Sequence, residues 1–218
     1  EKICAIEGLE RVRLGSLEPR VITETAAKRL AEMPKLCPHF HLSLQSGCDA
    51  TLKRMNRHYS TGEYYNSVEN LRKYFGQPAI TTDVIVGFPG ETKEEFLETK
   101  AFLEKVCFYE MHIFKYSKRA GTVAASMSGQ IPEQTKQERS GILQEMEQRH
   151  SADFRKRYIG LTAEVLLEET REIDGVVYGI GHTGDYVKVA VKISGETPEM
   201  NSLINVKISG FLTDEILM

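Results

Sequence analysis

Four short segments carry residue types from which a ligand site can be built. Arg13-Leu14-Gly15-Ser16-Leu17-Glu18-Pro19 runs from an alternating stretch into a small, polar turn. In a parallel α/β fold, ligands gather at the C-terminal ends of strands, which is where Ser16 and Glu18 would stand. A glutamate there accepts hydrogen bonds from sugar hydroxyls. The same residues also read as a capped turn before a helix.

The second segment is Leu44-Gln45-Ser46-Gly47-Cys48-Asp49. Gln45 offers a donor and an acceptor, Ser46 a hydroxyl, and Gly47 a backbone that a ligand can approach closely. The basic run Lys53-Arg54-Met55-Asn56-Arg57-His58 follows and suits a carboxylate or a phosphate. It reads equally well as a solvated helix face. The third segment, Asp83 to Thr92, takes a β-branched run into Gly87-Phe88-Pro89-Gly90. Its glycines allow unusual dihedrals, and Phe88 is placed to stack on a base. No Lys-Ser/Thr pair follows, so it is not a Walker loop, and it is not a G-x-G-x-x-G fingerprint. The fourth, Phe114 to Thr122, mixes aromatic Tyr116 with basic Lys115, Lys118 and Arg119, a combination that suits nucleic acid.

Periodicity supplies the elements that must position these residues. Arg11 to Leu14, His39 to Leu44, Ile80 to Val86 and Met111 to Tyr116 read as strands. Between them, helices are expected over Ile22–Met33, from Ser60 to Phe75, and from Thr92 to Val106. Ser60/Glu63 and Thr92/Glu95 are spaced as capping boxes. Strand and helix alternate, which predicts a parallel sheet with right-handed crossovers. From Pro132, a charged helix carries Leu143, Met146, His150, Phe154 and Tyr158 at spacings of three and four, a stripe expected to pack on the sheet. Residues 160–218 change to short strands with a tight turn at Asp174-Gly175, the pattern of a small antiparallel barrel. The expected organisation is therefore 1–130, then a helix and linker over 131–159, then 160–218.

Composition bounds the function. Hydrophobic residues make up 41% and charged residues 27%, as in soluble globular proteins. No apolar run approaches the roughly 18–20 residues of a membrane helix. Cys4, Cys37, Cys48 and Cys107 lack the C-x-x-C and C-x-x-x-C spacings of zinc or iron–sulfur sites, so no metal ligand is assigned. Four cysteines in 218 residues do not make a disulfide scaffold, which points to a reducing, cytoplasmic context. Net charge is −3, and residues 160–218 hold 4 Lys+Arg against 10 Asp+Glu. That acidic tail opposes long-range attraction to phosphates.

In order along the chain, Arg11–Pro19, His41–Gly47, Met55–Tyr59, Thr82–Thr92 and Phe114–Thr122 resemble the motifs of radical S-adenosylmethionine methylthiotransferases. The five span residues 11–122, and together they are far more specific than any one. The last 60 residues resemble that family's TRAM domain, a small RNA-binding, OB-like β-barrel, with His182–Val189 similar to its central hairpin. Pro38–Asp49 is similar to the MtaB branch, which adds a methylthio group to C2 of N6-threonylcarbamoyladenosine beside the anticodon. Sister branches act on isopentenyladenosine in tRNA or on a ribosomal protein. A bare RNA-binding module is the non-enzymatic alternative.

The resemblance implies an α/β fold: the last four strands of a partial TIM-type barrel followed by a TRAM barrel. It implies S-adenosylmethionine and two 4Fe–4S clusters as cofactors of the full-length enzyme, and the tRNA anticodon stem-loop as partner. The cluster-binding cysteines of the family precede the matched motifs, so this chain alone is expected to lack them, to bind no cluster and to be inactive. It would depend on the preceding domains of the same polypeptide. Cofactor contacts are expected from Ser16, Glu18, Gln45, Ser46, Gly87 and Phe88, and substrate contacts from Arg57, Tyr116, Arg119, Lys188 and Lys192. Arg155, Lys156 and Arg157 are expected to extend Lys188 and Lys192 into a positive stripe. A sheet edge near Arg11–Leu14 is expected to stay unpaired and to favour self-association.

Overall fold

Capping chemistry and turn residues set most element boundaries in the computed structural model, which describes residues 1–193, 195 and 199–218. Helix α3 (Thr61–Phe75) starts where the Ser60 hydroxyl accepts the Glu63 N–H at 3.1 Å and the Glu63 carboxylate accepts the Ser60 N–H at 2.8 Å. Helix α4 (Lys93–Val106) repeats the reciprocal pair between Thr92 and Glu95, at 3.2 and 3.0 Å. Each box satisfies two amides that the first helical turn leaves without partners. A third cap, Thr23 to the Ala26 N–H, opens α1 (Glu24–Ala31).

Strands β1 (Ser16–Leu17), β2 (His39–Leu42), β3 (Ala79–Val86) and β4 (Glu110–Lys115) form a parallel sheet in that order. Phe40, Leu42, Leu44, Ile80, Val84, Val86 and Met111 point to one side, where they pack with residues such as Ala27, Tyr64, Leu71, Phe96 and Leu103 of the helices. Side chains alternate across a strand, so His39, His41, Ser43, Thr81, Asp83, Glu110 and His112 occupy the opposite, inner face. Helices on one face of a parallel sheet and a polar inner face are the features of an open (β/α) barrel wall.

Two expectations for this region are corrected. Arg11–Leu14 is not a strand: it contributes one bridge, Val12 to Leu36, and the edge strand lies at Ser16–Leu17. The Arg11 guanidinium is committed elsewhere, donating at 2.9 Å to the carbonyls of both His182 and Glu164 and pairing with the Glu164 carboxylate. A two-residue edge is also a poor template for pairing with a second chain, which removes the basis for the expected self-association. The basic run after Asp49 is partly a short helix, α2 (Asp49–Arg54).

The C-terminal quarter of the chain forms an antiparallel sheet in the order β7-β6-β5-β8, from β5 (Thr162–Ile173), β6 (Val176–His182), β7 (Lys188–Lys192) and β8 (Leu203–Lys207). Asp174 and Gly175 both have positive φ, 50° and 75°, as a two-residue hairpin of the primed type requires. The chain terminus lies along β7 through a Val189–Leu217 bridge. Ala79 and Tyr109, at the N-terminal ends of β3 and β4, pack with Val165, Leu167, Val189 and Leu217. The second sheet therefore sits below the first, at its N-terminal ends, and leaves the C-terminal strand ends open.

After the short α5 (Val123–Ser126), helix α6 (Glu133–Lys156) joins the two cores. Leu143 and Met146 belong to the first, Phe154 to the second, as the stripe predicted, and the helix packs along β4. Its first half is pinned by Arg139. That guanidinium forms a buried ion pair with Glu91 and donates to the Glu91 carbonyl at 3.1 Å. The Glu91 carboxylate also accepts the Gly87 N–H at 3.0 Å. Removing one member strands the other charge in the interior, which typically costs 3–5 kcal/mol. Arg139→Ala is therefore expected to destabilise the chain by about 3–5 kcal/mol in urea unfolding, whereas Arg149→Ala, at an exposed pair, changes stability by less than about 1 kcal/mol.

Candidate functional site at the strand ends and inner sheet face

The open strand ends hold the expected site residues, and they divide into two groups. Ser16, Glu18 and Arg57 come together with Ser43, Asn56 and Tyr59 around a cavity of 370 Å³. Tyr59 shapes its floor: its hydroxyl donates to the Leu44 carbonyl at 2.8 Å and reaches that of Ser43 at 3.0 Å. Gly87, Phe88 and Tyr116 lie together at the other end of the sheet, after β3 and β4, with Phe88 edge-on to Tyr116 at 5.3 Å.

Gln45 lies just past β2, in the bridge that continues the pairing with β3. Its N–H donates to the Asp83 carbonyl and its carbonyl accepts from the Ile85 N–H, both at 2.9 Å. Its φ is +72°, a left-handed conformation that a non-glycine residue adopts at an energetic cost of order 1–3 kcal/mol. Among the described residues its side-chain amide has no hydrogen-bond partner. A strained residue with an unspent amide at a ligand-bearing strand end is the arrangement expected of a binding group.

Several expected residues are engaged elsewhere. Ser46 is fully buried, hydrogen-bonded to Thr99 at 3.2 Å and accepting the Cys48 N–H at 3.3 Å. Gly47 does not serve close ligand approach: a Cβ there would lie 2.8 Å from Phe102 Cβ and 3.0 Å from the Thr99 backbone, so the glycine lets α4 pack. Gly87 has φ +72°, and a Cβ would run into the Lys136 side chain at 2.2 Å. Phe88 is buried, with its ring against Tyr116, so it offers no free stacking face. Arg54 is held bidentately by Glu95. Arg57 and Arg119 are exposed and have no ion-pair partner among the described residues.

Lys188 and Lys192 are far from this edge, on β7 of the lower sheet. Lys188 borders a cleft of 790 Å³ between β4, α6 and that sheet, whose walls include Glu110, Glu147, Asp214 and Glu215. The expected positive stripe is not continuous. Arg155 is buried and bound to Glu110 and the Asp214 carbonyl, Lys156 pairs with Asp153, and Arg157 donates to the Gln77 carbonyl.

The inner face below the strand ends was not anticipated from sequence. A cavity of 340 Å³ is bordered by Arg13, Ser16, His39, His41, Thr81, Glu110, His112 and Tyr186. Tyr186, at φ +66° in the β6–β7 turn, closes it from below. The Arg13 guanidinium lies 3.7 Å from its ring centroid, His182 stacks on it at 4.2 Å, and His39 meets it at 5.5 Å. Its only sequence trace is the run His39-Phe40-His41-Leu42-Ser43, where the polar alternates are not charged solvent-facing residues but groups able to bind.

Comparison with known proteins fits this geometry. Residues 1–103 match the model of the Radical SAM superfamily. The chain is 45% identical over 164 residues to a tRNA-2-methylthio-N(6)-dimethylallyladenosine synthase of Thermobifida fusca, covering 75% of this chain and 33% of that protein. It is 37% identical over 204 residues to the threonylcarbamoyladenosine tRNA methylthiotransferase MtaB of Bacillus subtilis, covering 93% of this chain and 45% of the relative. The chain belongs to the radical-SAM methylthiotransferase family. It spans about a third to a half of the length of the curated relatives it matches. Among solved structures, coproporphyrinogen III oxidase (HemN) from Escherichia coli, a radical SAM enzyme, superposes with a TM-score of 0.50 at 19% identity. The match covers 62% of this chain and 31% of that one, and supports the fold of the parallel sheet.

The family's cofactors are S-adenosylmethionine and 4Fe–4S clusters. The cysteines present do not fit a cluster. Among the described residues no three of them converge, Cys48 donates to the Glu98 carboxylate at 3.1 Å, and burial pushes the thiols of Cys37 and Cys48 up, away from the thiolate a cluster needs. The strand-end groups do fit a nucleoside-bearing cofactor: Glu18 and Ser16 offer hydroxyl partners, Gln45 a free amide, and Arg57 a cation for a carboxylate.

The inner face makes stability pH-dependent. Burial, reinforced by the Arg13 charge, holds His39 down at about 4, from an ordinary 6.5. The unfolded chain takes up this proton at a higher pH than the folded one. The stabilisation is therefore complete above about pH 6.5 and lost as pH falls towards 4. Unfolding measured from pH 7 to 4 is expected to show a loss of about 3 kcal/mol that His39→Phe lacks.

Proposed function

We propose that this chain provides one wall of the S-adenosylmethionine site and an RNA-binding module in an enzyme that methylthiolates tRNA. The preferred substrate is N6-threonylcarbamoyladenosine beside the anticodon, as in the MtaB branch. The observation that carries the reading is Gln45: a strained backbone presenting an unspent amide at the strand end, within a run, His41–Gly47, that resembles the branch's own. Relatives named for the threonylcarbamoyl and the dimethylallyl substrate match at similar identity. The choice of branch therefore rests on the Pro38–Asp49 resemblance.

When bound, S-adenosylmethionine and the 4Fe–4S clusters supply the radical and sulfur chemistry. The residues of this chain bind and orient. In the proposal, Glu18 and Ser16 hold ribose hydroxyls, Gln45 spans the cofactor's polar edge, and Arg57 neutralises its carboxylate. Arg119, exposed beyond β4, neutralises a substrate phosphate, and Tyr116 backs the Gly87–Phe88 turn. Fixing the nucleoside on rigid strands is what selective radical chemistry requires of a protein. Residues 160–218 serve as a TRAM-like, OB-type barrel, with Lys188 and Lys192 as its RNA contacts.

In the intact enzyme, Gln45→Ala is expected to weaken S-adenosylmethionine binding about tenfold, the worth of one hydrogen bond. Unchanged cofactor cleavage would remove Gln45 from the site. Supplied with tRNAs bearing either modification, the intact enzyme is expected to place the methylthio group on the threonylcarbamoyl form. Product only on the isopentenyl form transfers the chain to the sister branch. Reversing Lys188 and Lys192 to Glu is expected to abolish gel-shift binding of an anticodon stem-loop. Retained affinity and an unchanged salt slope would place RNA binding elsewhere.

A further inference from the structure

We propose that His41, Asp83 and His112 form a binding site for one divalent transition-metal ion of the zinc type on the inner face of the parallel sheet. The three residues come from three adjacent strands. Asp83 and His112 are aligned partners across β3 and β4, while His41 aligns with Thr81, two residues before Asp83 on the same face. Their ligand atoms all lie within 4.8 Å of one another. Strands hold ligands more rigidly than loops, which favours a preformed site.

The distances suit a metal better than a direct pair. His41 Nε2 is 3.4 Å from Asp83 Oδ2, longer than a charge-assisted hydrogen bond. Two ligands at about 2.0–2.1 Å from a tetrahedral ion stand about 3.3–3.4 Å apart. The second ring nitrogen of His41, Nδ1, is 3.0 Å from the hydroxyl of buried Thr81. With Nδ1 donating there, Nε2 turns its lone pair to the Asp83 carboxylate, and a cation between the two relieves the repulsion. Metal-bound histidines are typically oriented through their other nitrogen in this way. The rings of His41 and His112 stack with centroids 6.0 Å apart, close enough to converge on one ion.

Two imidazoles and one carboxylate, without thiolate, select borderline metals such as zinc over magnesium or calcium. Three protein ligands leave coordination positions open to an oxygen or nitrogen donor, as in catalytic rather than structural sites. His41 and His112 border the 340 Å³ cavity, and His112 is exposed, so an ion has a way in. The neighbouring charges balance: Arg13 lies on the same cavity, engaged with the Tyr186 ring, opposite Glu110. The proposal rests on the strand geometry and stands whether or not the tRNA reading does.

Cobalt titration of the metal-stripped chain tests it. One Co²⁺ per chain is expected, with ligand-field bands but no thiolate charge-transfer band, and with displacement by Zn²⁺. His112→Gln and Asp83→Asn are expected to lower affinity by about 100-fold, and Thr81→Val, which leaves all three ligands, by roughly tenfold. His112 is exposed, so its variant keeps the fold and decides the matter if Asp83→Asn does not. A thiolate band would assign binding to the cysteines. That result, unchanged affinity in His112→Gln, or no saturable binding would each overturn the proposal.

Discussion

The buried Glu91–Arg139 pair is the contact on which the arrangement of this chain depends. A buried ion pair is stable only when its remaining polar atoms are satisfied, because desolvation otherwise outweighs the attraction. Here the Gly87 amide donates to the same carboxylate and the Arg139 guanidinium also donates to the Glu91 carbonyl. The pair ties the turn after β3, at the open end of the sheet, to the first half of α6. That helix then runs along β4 to Phe154 and delivers the second sheet to the opposite end. One interaction thus orients both the edge that stays open and the end that is closed.

The two faces of the parallel sheet obey different constraints. On the helix side, volume governs, and even polar or flexible residues there serve packing. Gly47 is small because Phe102 and Thr99 leave no room, and Tyr64 is buried with its hydroxyl donated to the Leu42 carbonyl. On the inner side, titratable groups replace apolar ones, and Tyr186 from the lower sheet closes the floor. The strain of left-handed Tyr186 and Gln45 falls on these two borders of the same face, one at the bottom and one at the top. Strain of that kind persists only where the surroundings over-determine it.

What was legible in the sequence follows from the range of the interaction that carries the signal. Ser60/Glu63, Thr92/Glu95 and Asp174-Gly175 act within four residues, and all three boundaries stand where their spacing puts them. The stripe from Leu143 to Phe154 was legible because a helix repeats its face locally. Arg11–Leu14 alternates like a strand, yet Arg11 is captured by Glu164 and His182, more than 150 residues away. Ser46 and Phe88 have suitable types at suitable places, but Thr99 and Tyr116 claim them from other elements. The His41, Asp83 and His112 set was invisible because its members lie 42 and 29 residues apart and meet only through strand register.

The charge distribution bears on where the proposed anionic substrate would meet this surface. Residues 160–218 are acidic, and Lys188 sits beside a cleft with four carboxylates in its walls. Of the arginines near that sheet, Arg155 is buried, Arg157 donates to the Gln77 carbonyl and Arg171 pairs with Glu169. At the opposite end, Lys115 and Lys136 share Glu133 and Arg54 is held by Glu95, whereas Arg57 and Arg119 flank the open strand ends unpaired among the described residues. A phosphate gains most from a cation that gives up no existing partner. Under the proposed function, a backbone contact close to the reacting base would therefore fall to Arg119, with Arg57 kept for the cofactor's carboxylate. In that proposal the lower sheet would meet more distant parts of a nucleic acid through shape and a few local lysines.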